Sequence, residues 1–402
     1  MAGLKYWLWL SERKGLTNRS RMLLLDRFGS PEAVYHADEA EYALVEGLPR
    51  RQAELLADKS TGEADRILGE CKRLGLRVMT MQDADYPARL RGIFEPPCVL
   101  YIKGNLPAFD DEVAIAMVGT RSCTPYGTQS AEKLAYGLAK QGALVVSGAA
   151  RGIDSAAHRG ALRAGGVTVA VLGNGLDVVY PEENEALYRD IAATGALISE
   201  YPPGTAAEGW HFPVRNRIIS GLCLATVIVE APIERSGALI TANTALEQGR
   251  DVFAVPGPID APMSRGCNRL IAEGAGLVSE SRDILREYEG QYPHKITAER
   301  VELPHALGYR ARQEQAEERA RTETEEKPSL PVIDLSGEHG LTDDQIRILR
   351  ELAGGERQVD DLIELTQIPT RRVLSALTVL ELDGYVAQSG GKRFSARAEL
   401  KE

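Results

Sequence analysis

Val118-Gly119-Thr120-Arg121 closes an apolar run at residues 113–118, and this pairing of an apolar run with a glycine-rich turn recurs through residues 112–280. The next two runs end in Ser147-Gly148 and Leu172-Gly173. Continuous apolar runs are typical of strands that a parallel sheet buries on both faces. Amphipathic segments between the runs predict helices. We therefore predict an α/β fold, a doubly wound parallel sheet with right-handed crossovers.

The composition is that of an ordinary globular protein with 402 residues and a net charge of −11, which suggests two to four domains. The negative charge argues against a protein coated in basic residues, but a local cationic groove can exist on it. The five cysteines form no C-x-x-C pair, which favours a reducing, cytoplasmic location and argues against a thiolate metal site. No apolar run reaches about 18 residues, so we expect no membrane span.

The core, which we place at residues 112–289, is flanked by segments with different patterns. Residues 1–60 show apolar spacing typical of short helices and predict a helical domain. Residues 61–111 predict one helix, one strand and a connector rich in proline and glycine that packs on the core. Residues 290–337 are densely charged and predict a solvated linker.

Residues 338–402 predict a winged-helix domain. A capping box begins at Thr342, and two more helical segments and a hairpin signal follow it. The third helix carries Thr370, Arg371 and Arg372 at its amino end, where such helices contact duplex DNA. The first helix is acidic, so a protein-binding role is weighed equally.

The turns of the core lack the known nucleotide motifs. The turn at Gly119 has no G-x-G-x-x-G spacing, and no G-x-x-x-x-G-K-[ST] occurs in the chain, so we expect no cofactor. The turn still offers backbone amides, hydroxyls and the Arg121 guanidinium, which are the parts of an anion site. The second turn adds Arg151. Asp154 is expected to cap the following helix, and His158 lies one turn further on.

Two further segments extend the predicted anion track. In Arg215-Asn216-Arg217, two arginines that are two residues apart cannot share one helix face. We expect one to face outward and the other to be bound inside by Asn216 or a carboxylate. The segment from Ser236 to Thr241 places a hydroxyl and backbone amides at a helix start.

Several anion sites along one edge, with no metal cluster and no paired nucleophile and base, favour an extended polyanion such as single-stranded nucleic acid. Nearby aromatic residues, including Tyr180, Trp210 and Phe212, could stack bases, although each taken singly fits core packing better. The candidate nucleic-acid contacts are Gly119, Arg121, Ser147, Gly148, Arg151, Gly152, His158, Arg215, Asn216, Arg217, Ser236, Gly237 and Thr241.

These phrases together resemble the DNA-processing protein A family, also called DprA or Smf. The resemblance runs from Val118-Gly119-Thr120-Arg121 through Phe212-Pro213 with Arg215-Asn216-Arg217 to Val255-Pro256-Gly257. It implies a Rossmann-like core, a sterile-alpha-motif-like (SAM-like) helical domain before it and a winged helix after it. It also implies a non-enzymatic protein of natural transformation that binds and protects incoming single-stranded DNA, brings RecA to it and forms a homodimer through the core. Single-strand-binding protein is a further expected partner.

The chain departs from the family pattern at one position, and two alternative functions stay open. Val167 stands where relatives often carry a basic residue, so a cationic contact is either absent or supplied by Arg163. The main alternative is a Rossmann-like nucleotide-binding or phosphoribohydrolase-type enzyme with Glu230 as its carboxylate. Such enzymes carry P-G-G-x-G-T-x-x-E, whereas this chain has only Pro256-Gly257-Pro258. The other alternative is a transcription factor whose winged helix binds the DNA.

Overall fold

The computed structural model describes residues 2–234, 236–297, 332–334, 340–389 and 393–401. The chain forms two compact units, residues 1–303 and residues 304–402. Within the described residues, no helix is both long and apolar enough to cross a membrane.

The N-terminal part of the first unit is helical, as predicted. Side chains of Thr17, Ser30 and Asp38 accept hydrogen bonds from backbone amides and begin three of its helices. Gly29, with φ of 77°, ends one of them in the left-handed region. The five helices are α1 (Ala2–Ser11), α2 (Asn18–Phe28), α3 (Pro31–His36), α4 (Glu39–Ala43) and α5 (Arg50–Glu54).

A nine-stranded sheet forms the centre of the first unit and confirms the predicted doubly wound α/β fold. Its strands are β1 (Arg77–Thr80), β2 (Val99–Gly104), β3 (Ala114–Val118), β4 (Leu144–Ser147), β5 (Thr168–Leu172), β6 (Ala196–Ser199), β7 (Ala225–Ile228), β8 (Asp251–Ala254) and β9 (Gly276–Leu277). They are ordered β1-β2-β6-β5-β4-β3-β7-β8-β9. Strands β3 to β9 are parallel to their neighbours, whereas β2 runs antiparallel to both β1 and β6. The predicted connector at 61–111 therefore extends the sheet by two strands.

Helices cover both faces of this sheet. They are α6 (Gly62–Leu74), α7 (Ala88–Arg91), α8 (Pro125–Lys140), α9 (Ile153–Arg163), α10 (Glu185–Thr194), α11 (His211–Leu222), α12 (Gly237–Glu247), α13 (Arg265–Ala272) and α14 (Ser281–Leu285). Alternate residues of β3 belong to different apolar clusters, with Ala116 in one and Ile115 in the other. Because side chains alternate across a strand, one cluster lies on each face. A third cluster joins Trp7 of α1 to β5 and β6.

The second unit has the predicted winged-helix order of three helices and a hairpin. Its elements are β10 (Val332–Asp334), α15 (Asp343–Ala353), β11 (Arg357–Gln358), α16 (Val359–Thr366), α17 (Thr370–Leu382), β12 (Val386–Ser389), β13 (Arg393–Ala396) and β14 (Glu399–Lys401). The capping box predicted at Thr342 is present, with Gln345 as its second member. Strand β10 pairs in parallel with β14, so 332–334 are not linker. Residues 298–331 and 335–337 of the predicted linker lie outside the described residues.

Candidate nucleic-acid interface

A cleft of about 400 Å³ lies at the carboxyl edge of the sheet. Strand β3 has β4 on one side and β7 on the other, and the chain builds outward in opposite directions from this point. Ligands of open α/β sheets bind in the crevice at such a switch point. Six predicted contacts line the cleft, namely Gly119, Arg121, Arg215, Asn216, Ser236 and Gly237.

Arg121 lies exposed at the mouth of the cleft. Its guanidinium carbon is 4.5 Å from the centre of the Phe212 ring. The Tyr180 ring lies 5.6 Å from Phe212, so two aromatic rings extend away from the arginine. Arg121 forms no ion pair with any residue that the structure describes, and its charge is therefore open to a ligand.

Gly119 and Gly152 let the first two turns pass close to each other. A Cβ on Gly119 would overlap the Ile153 side chain, and a Cβ on Gly152 would overlap the carbonyl oxygen of Thr120. Gly152 also has φ of 76°, which favours glycine. The Ile153 amide donates to that carbonyl over 3.3 Å. The two glycines thus shape the backbone rather than contribute side chains.

Glu230 fixes the position of the turn that carries Arg121. Its carboxylate is buried and accepts hydrogen bonds from the Thr124 amide (2.8 Å) and hydroxyl (2.5 Å). Its backbone carbonyl accepts from the Thr120 amide over 2.8 Å. The sequence suggested Glu230 only as a catalytic carboxylate. Its structural role, which is to fix the turn at residues 120–124 through hydrogen bonds, was missed. A glutamate directly after a buried strand, facing a Thr-Pro helix start, is the signal that could have indicated it.

Arg215 lies beneath the cleft and is buried. It donates to the carbonyl of Gly148 over 2.9 Å, to the carbonyl of Val171, and to Oδ1 of Asn216 over 3.0 Å. A Cβ on Gly148 would collide with this guanidinium, so Gly148 makes room for Arg215. The expectation that Asn216 binds one arginine of the pair is confirmed.

Arg217 is also held by the protein. Its Nη2 donates to both carboxylate oxygens of Glu200, at 2.8 and 2.9 Å, and its Nε donates to the Glu95 carbonyl over 3.1 Å. The expectation that one arginine of the pair faces outward is therefore wrong. Spacing excluded a shared helix face, but the neighbouring carbonyls and carboxylate bind both guanidinium groups.

Asp154 was expected to cap α9, and this is wrong because Gly152 occupies the N-cap position without a side-chain bond. The Asp154 carboxylate is buried and accepts from the Ala150 amide over 3.4 Å. Burial raises the pKa of Asp154, while the nearby Arg215 charge acts in the opposite direction. Asp154 and Arg215 thus balance each other's charge inside the protein.

Three other predicted contacts are internal. Ser147 donates to the Met117 carbonyl over 2.7 Å. Thr241 donates to the Gly237 carbonyl over 3.0 Å and accepts from Nδ2 of Asn216 over 2.8 Å. His158 Nδ1 lies 2.7 Å from the Thr168 hydroxyl, and its Nε2 has no hydrogen-bond partner among the described residues. Burial lowers the pKa of His158 to about 3, so the ring is neutral.

We call the buried set the floor, of which Asp154 and Arg215 line the cleft: Ser147, Asp154, His158, Arg215 and Thr241. We call the exposed set, Arg121, Arg151 and Gly237, the rim; Arg121 and Gly237 line the cleft, and Arg151 lies outside its lining. Arg151 pairs with Glu183, with one contact of 3.0 Å. Gly237 begins α12, and apart from its chain neighbours and its own helix backbone no heavy atom of a described residue lies within 4 Å of the position that a Cβ would take. Ser236 accepts from the Leu239 amide as the cap of α12.

Two other candidate regions have fewer unpaired cations than the sequence predicted. Val167 is 41% exposed, and Arg163, which could have replaced a basic residue there, pairs with Glu132 at 2.9 Å. In the winged helix, Thr370 and Arg371 are exposed, but Arg372 forms an ion pair with Asp344 at 2.7 Å.

Across the described ranges, no group of three or more His, Cys, Asp or Glu side chains is placed to hold a metal ion. The cleft therefore offers a guanidinium, helix-start amides and aromatic rings as its binding groups. These groups suit a ligand that carries both phosphates and bases.

Comparison with known proteins agrees with the fold. Residues 77–289 match the family model described as DNA recombination-mediator protein A, and residues 336–392 match the DprA winged helix domain. DNA processing protein DprA of Streptococcus pneumoniae is 47% identical over 207 residues, which cover 52% of this chain and 72% of that protein. Protein Smf of Synechocystis is 33% identical over 412 residues, 98% of each chain. The X-ray structure of the S. pneumoniae protein superposes with a TM-score of 0.62 and 37% identity, covering 70% of this chain and 97% of that one.

Proposed function

The chain belongs to the DNA recombination-mediator protein A family, and on that premise we propose that it binds single-stranded DNA along the cleft without cutting it. The observation that carries the proposal is Arg121 at the mouth of the cleft, which forms no ion pair with a described residue and lies beside the Phe212 ring and near the start of α12. A cation, helix-start amides and stacking faces within one cleft match a sugar-phosphate chain with splayed bases.

The proposed binding mode divides the cleft between phosphates and bases. One phosphate contacts the Arg121 guanidinium, and a second lies at the start of α12, where Gly237 leaves the backbone open. Bases stack on Phe212 and Tyr180, whose rings are 5.6 Å apart. Stacking tolerates any base, so the binding is expected to be nearly independent of sequence and stronger for single strands than for duplex.

We further propose that the bound strand is incoming DNA in natural transformation, that the protein protects it, and that RecA is loaded onto it. In this proposal the protein acts as a homodimer through the Rossmann-like core, uses no cofactor, and works in the cytoplasm alongside single-strand-binding protein. The winged helix makes at most an accessory contact with duplex through Thr370 and Arg371, because Arg372 is already paired with Asp344.

The test is RecA filament formation on single-stranded DNA that is pre-coated with single-strand-binding protein. We expect the wild-type chain to shorten the lag, and Arg121→Ala to lose that effect. An unchanged lag with wild-type protein, although it binds the DNA, would overturn the mediator role.

The enzyme alternative is weakened because both Glu230 carboxylate oxygens are used in holding Thr124. It is tested by incubating the protein with magnesium and either single-stranded DNA or a nucleoside monophosphate. Product formation that Glu230→Gln abolishes would favour the enzyme. Removing residues 338–402 tests the transcription-factor alternative, which requires single-strand binding to be lost.

A further inference from the structure

A second groove, of about 470 Å³, adjoins the cleft. One wall comes from the end of α1 and the start of α2, and the other comes from β2 and the segment after β6. Residues 209–214 separate the two depressions. Phe212 and Pro213 line the cleft, whereas Trp210 and Val214 line the groove. A chain leaving the cleft over this segment therefore enters the groove directly.

We propose that the groove binds the next nucleotides of the same single strand, with a base stacked on Trp210 and a phosphate beside Lys14. This inference rests on the proposed function of the cleft. It makes the N-terminal helices part of the DNA-binding surface.

Trp210 is suited to stacking because its indole is 62% exposed. Its Nε1 donates to Glu208 over 2.5 Å, and its ring lies 4.0 Å from that of His211 in an edge-on arrangement. These contacts orient the ring while leaving much of its surface in solvent. An oriented, exposed aromatic ring beside a cationic groove is the usual platform for an unpaired base.

The two carboxylates that line the groove, Glu12 and Glu200, carry less free negative charge than their number suggests. Glu200 is paired with Arg217 and also accepts from Asn18 over 3.2 Å. Burial raises the pKa of Glu12 to about 7, so a large part of that group is uncharged near neutral pH. These two acids therefore repel a phosphate less than their number suggests.

The cations of the groove are less completely balanced. Arg13 pairs with Asp58, but Arg21 donates to the Leu10 and Ser11 carbonyls and to Asn18, all of which are neutral. Lys14 is exposed and forms no ion pair with the part of the chain that the structure describes. The residues that line the groove thus have a net positive charge that complements a phosphate chain, and the exposed Glu208 beside Trp210 opposes it at one end.

Tryptophan fluorescence provides a direct test in the full chain. Trp7 and Trp9 are 4% and 2% exposed, so a ligand in the groove quenches mainly Trp210. We expect an oligothymidylate of about twelve nucleotides to quench the emission, and one of about four nucleotides, which fills only the cleft, to leave it nearly unchanged.

Binding by variants completes the test. Trp210→Ala is expected to weaken binding of the long oligonucleotide about tenfold, while Trp210→Phe keeps most of the affinity because it keeps a stacking face. Lys14→Glu is expected to weaken long-oligonucleotide binding and to lower the magnitude of the salt slope by about 0.7 or more. Lys72→Glu makes the same charge change on α6 outside the groove and serves as the control.

Absence of quenching, together with unchanged long-oligonucleotide binding in Trp210→Ala and Lys14→Glu, would overturn the inference. In that case Arg121→Ala should still weaken the binding of both the short and the long oligonucleotide if the cleft proposal is right. If Arg121→Ala also binds both lengths normally, the proposed function itself fails.

Discussion

The rim and the floor of the cleft use the same kinds of residue in opposite ways. Arg121 on the rim forms no ion pair with any described residue, whereas Arg215 on the floor is buried beside Asp154 and bonded to the carbonyls of Gly148 and Val171. The charged groups of the floor are therefore compensated within the protein, and they stabilise the shape of the cleft. On the rim, Arg121 leaves its charge for a ligand.

The contrast separates two reasons for placing polar residues at a strand end. An interior charge needs a partner, because burying it alone costs several kcal/mol (~3–5). An exposed cation on the rim needs none. Substitutions on the floor should therefore change stability first, and substitutions on the rim should change DNA binding with little effect on stability.

The largest effect is expected for Arg215→Ala. It removes the buried charge that favours ionised Asp154, together with the hydrogen bonds to the Gly148 and Val171 carbonyls, and should lower the free energy of unfolding by about 3–5 kcal/mol. Urea unfolding followed by tryptophan fluorescence measures this, because all three tryptophans lie in the first unit. Arg121→Ala is the control and should change the same quantity by less than about 0.5 kcal/mol. Equal losses in the two variants would remove the distinction between rim and floor.

A pH-dependent loss of stability should come from His158 on the floor. Its pKa is lowered to about 3, so the ring stays neutral in the fold while the unfolded chain takes up a proton below the ordinary value of 6.5. The free energy of unfolding is unaffected by this group above pH 6.5. Between pH 6.5 and about 3 it decreases by about 1.4 kcal/mol for each pH unit of acidification.

His158→Asn lacks this titration. Its free energy of unfolding should therefore decrease less steeply on acidification than that of the wild type. His294→Asn, at an exposed histidine, should follow the wild-type curve. Parallel curves for wild type and His158→Asn would show that His158 is not held neutral.

On the rim, Arg121→Ala should weaken single-stranded DNA binding about tenfold, since one charge-assisted phosphate contact is lost. The loss of affinity should be the same for all DNA sequences, because a contact with a phosphate does not distinguish one base from another. Fluorescence anisotropy with oligonucleotides of different composition measures it. A loss confined to some sequences would instead indicate base recognition.

The smallest effect is expected at Arg151, whose charge is already paired with Glu183. Arg151→Ala should weaken binding by only about twofold, because an exposed ion pair is worth less than about 1 kcal/mol. Glu183→Gln should strengthen binding by a similar factor, since it frees the guanidinium. If Arg151→Ala weakened DNA binding as much as Arg121→Ala does, the ion pair with Glu183 would not account for a difference between the two rim arginines.

The sequence predicted the fold through features that depend on local pattern. Alternating apolar runs and helices gave the doubly wound sheet, and the capping box at Thr342 gave the start of a winged-helix element. Strands β1 and β2 were not assigned to the sheet, because an antiparallel partner for β6 lies about 95 residues upstream and local pattern cannot indicate it.

The site was predicted less completely. Residue type and spacing brought Arg121, Asn216 and Gly237 to one cleft, but they could not indicate which arginine would be buried. Burial of Arg215 depends on the space left by Gly148, and pairing of Arg217 depends on Glu200 from another strand end. Both are tertiary relations between distant segments, as is the structural role of Glu230.

The central claim, that the rim binds the phosphate backbone of single-stranded DNA, is tested most directly by the salt dependence of binding. If both rim arginines, Arg121 and Arg151, contact phosphates, they should contribute about −1.4 to the slope of the logarithm of the affinity against the logarithm of the salt concentration. Arg121→Ala should reduce the magnitude of that slope by about 0.7. A flat response in the wild type, or the same slope in Arg121→Ala, would contradict the account.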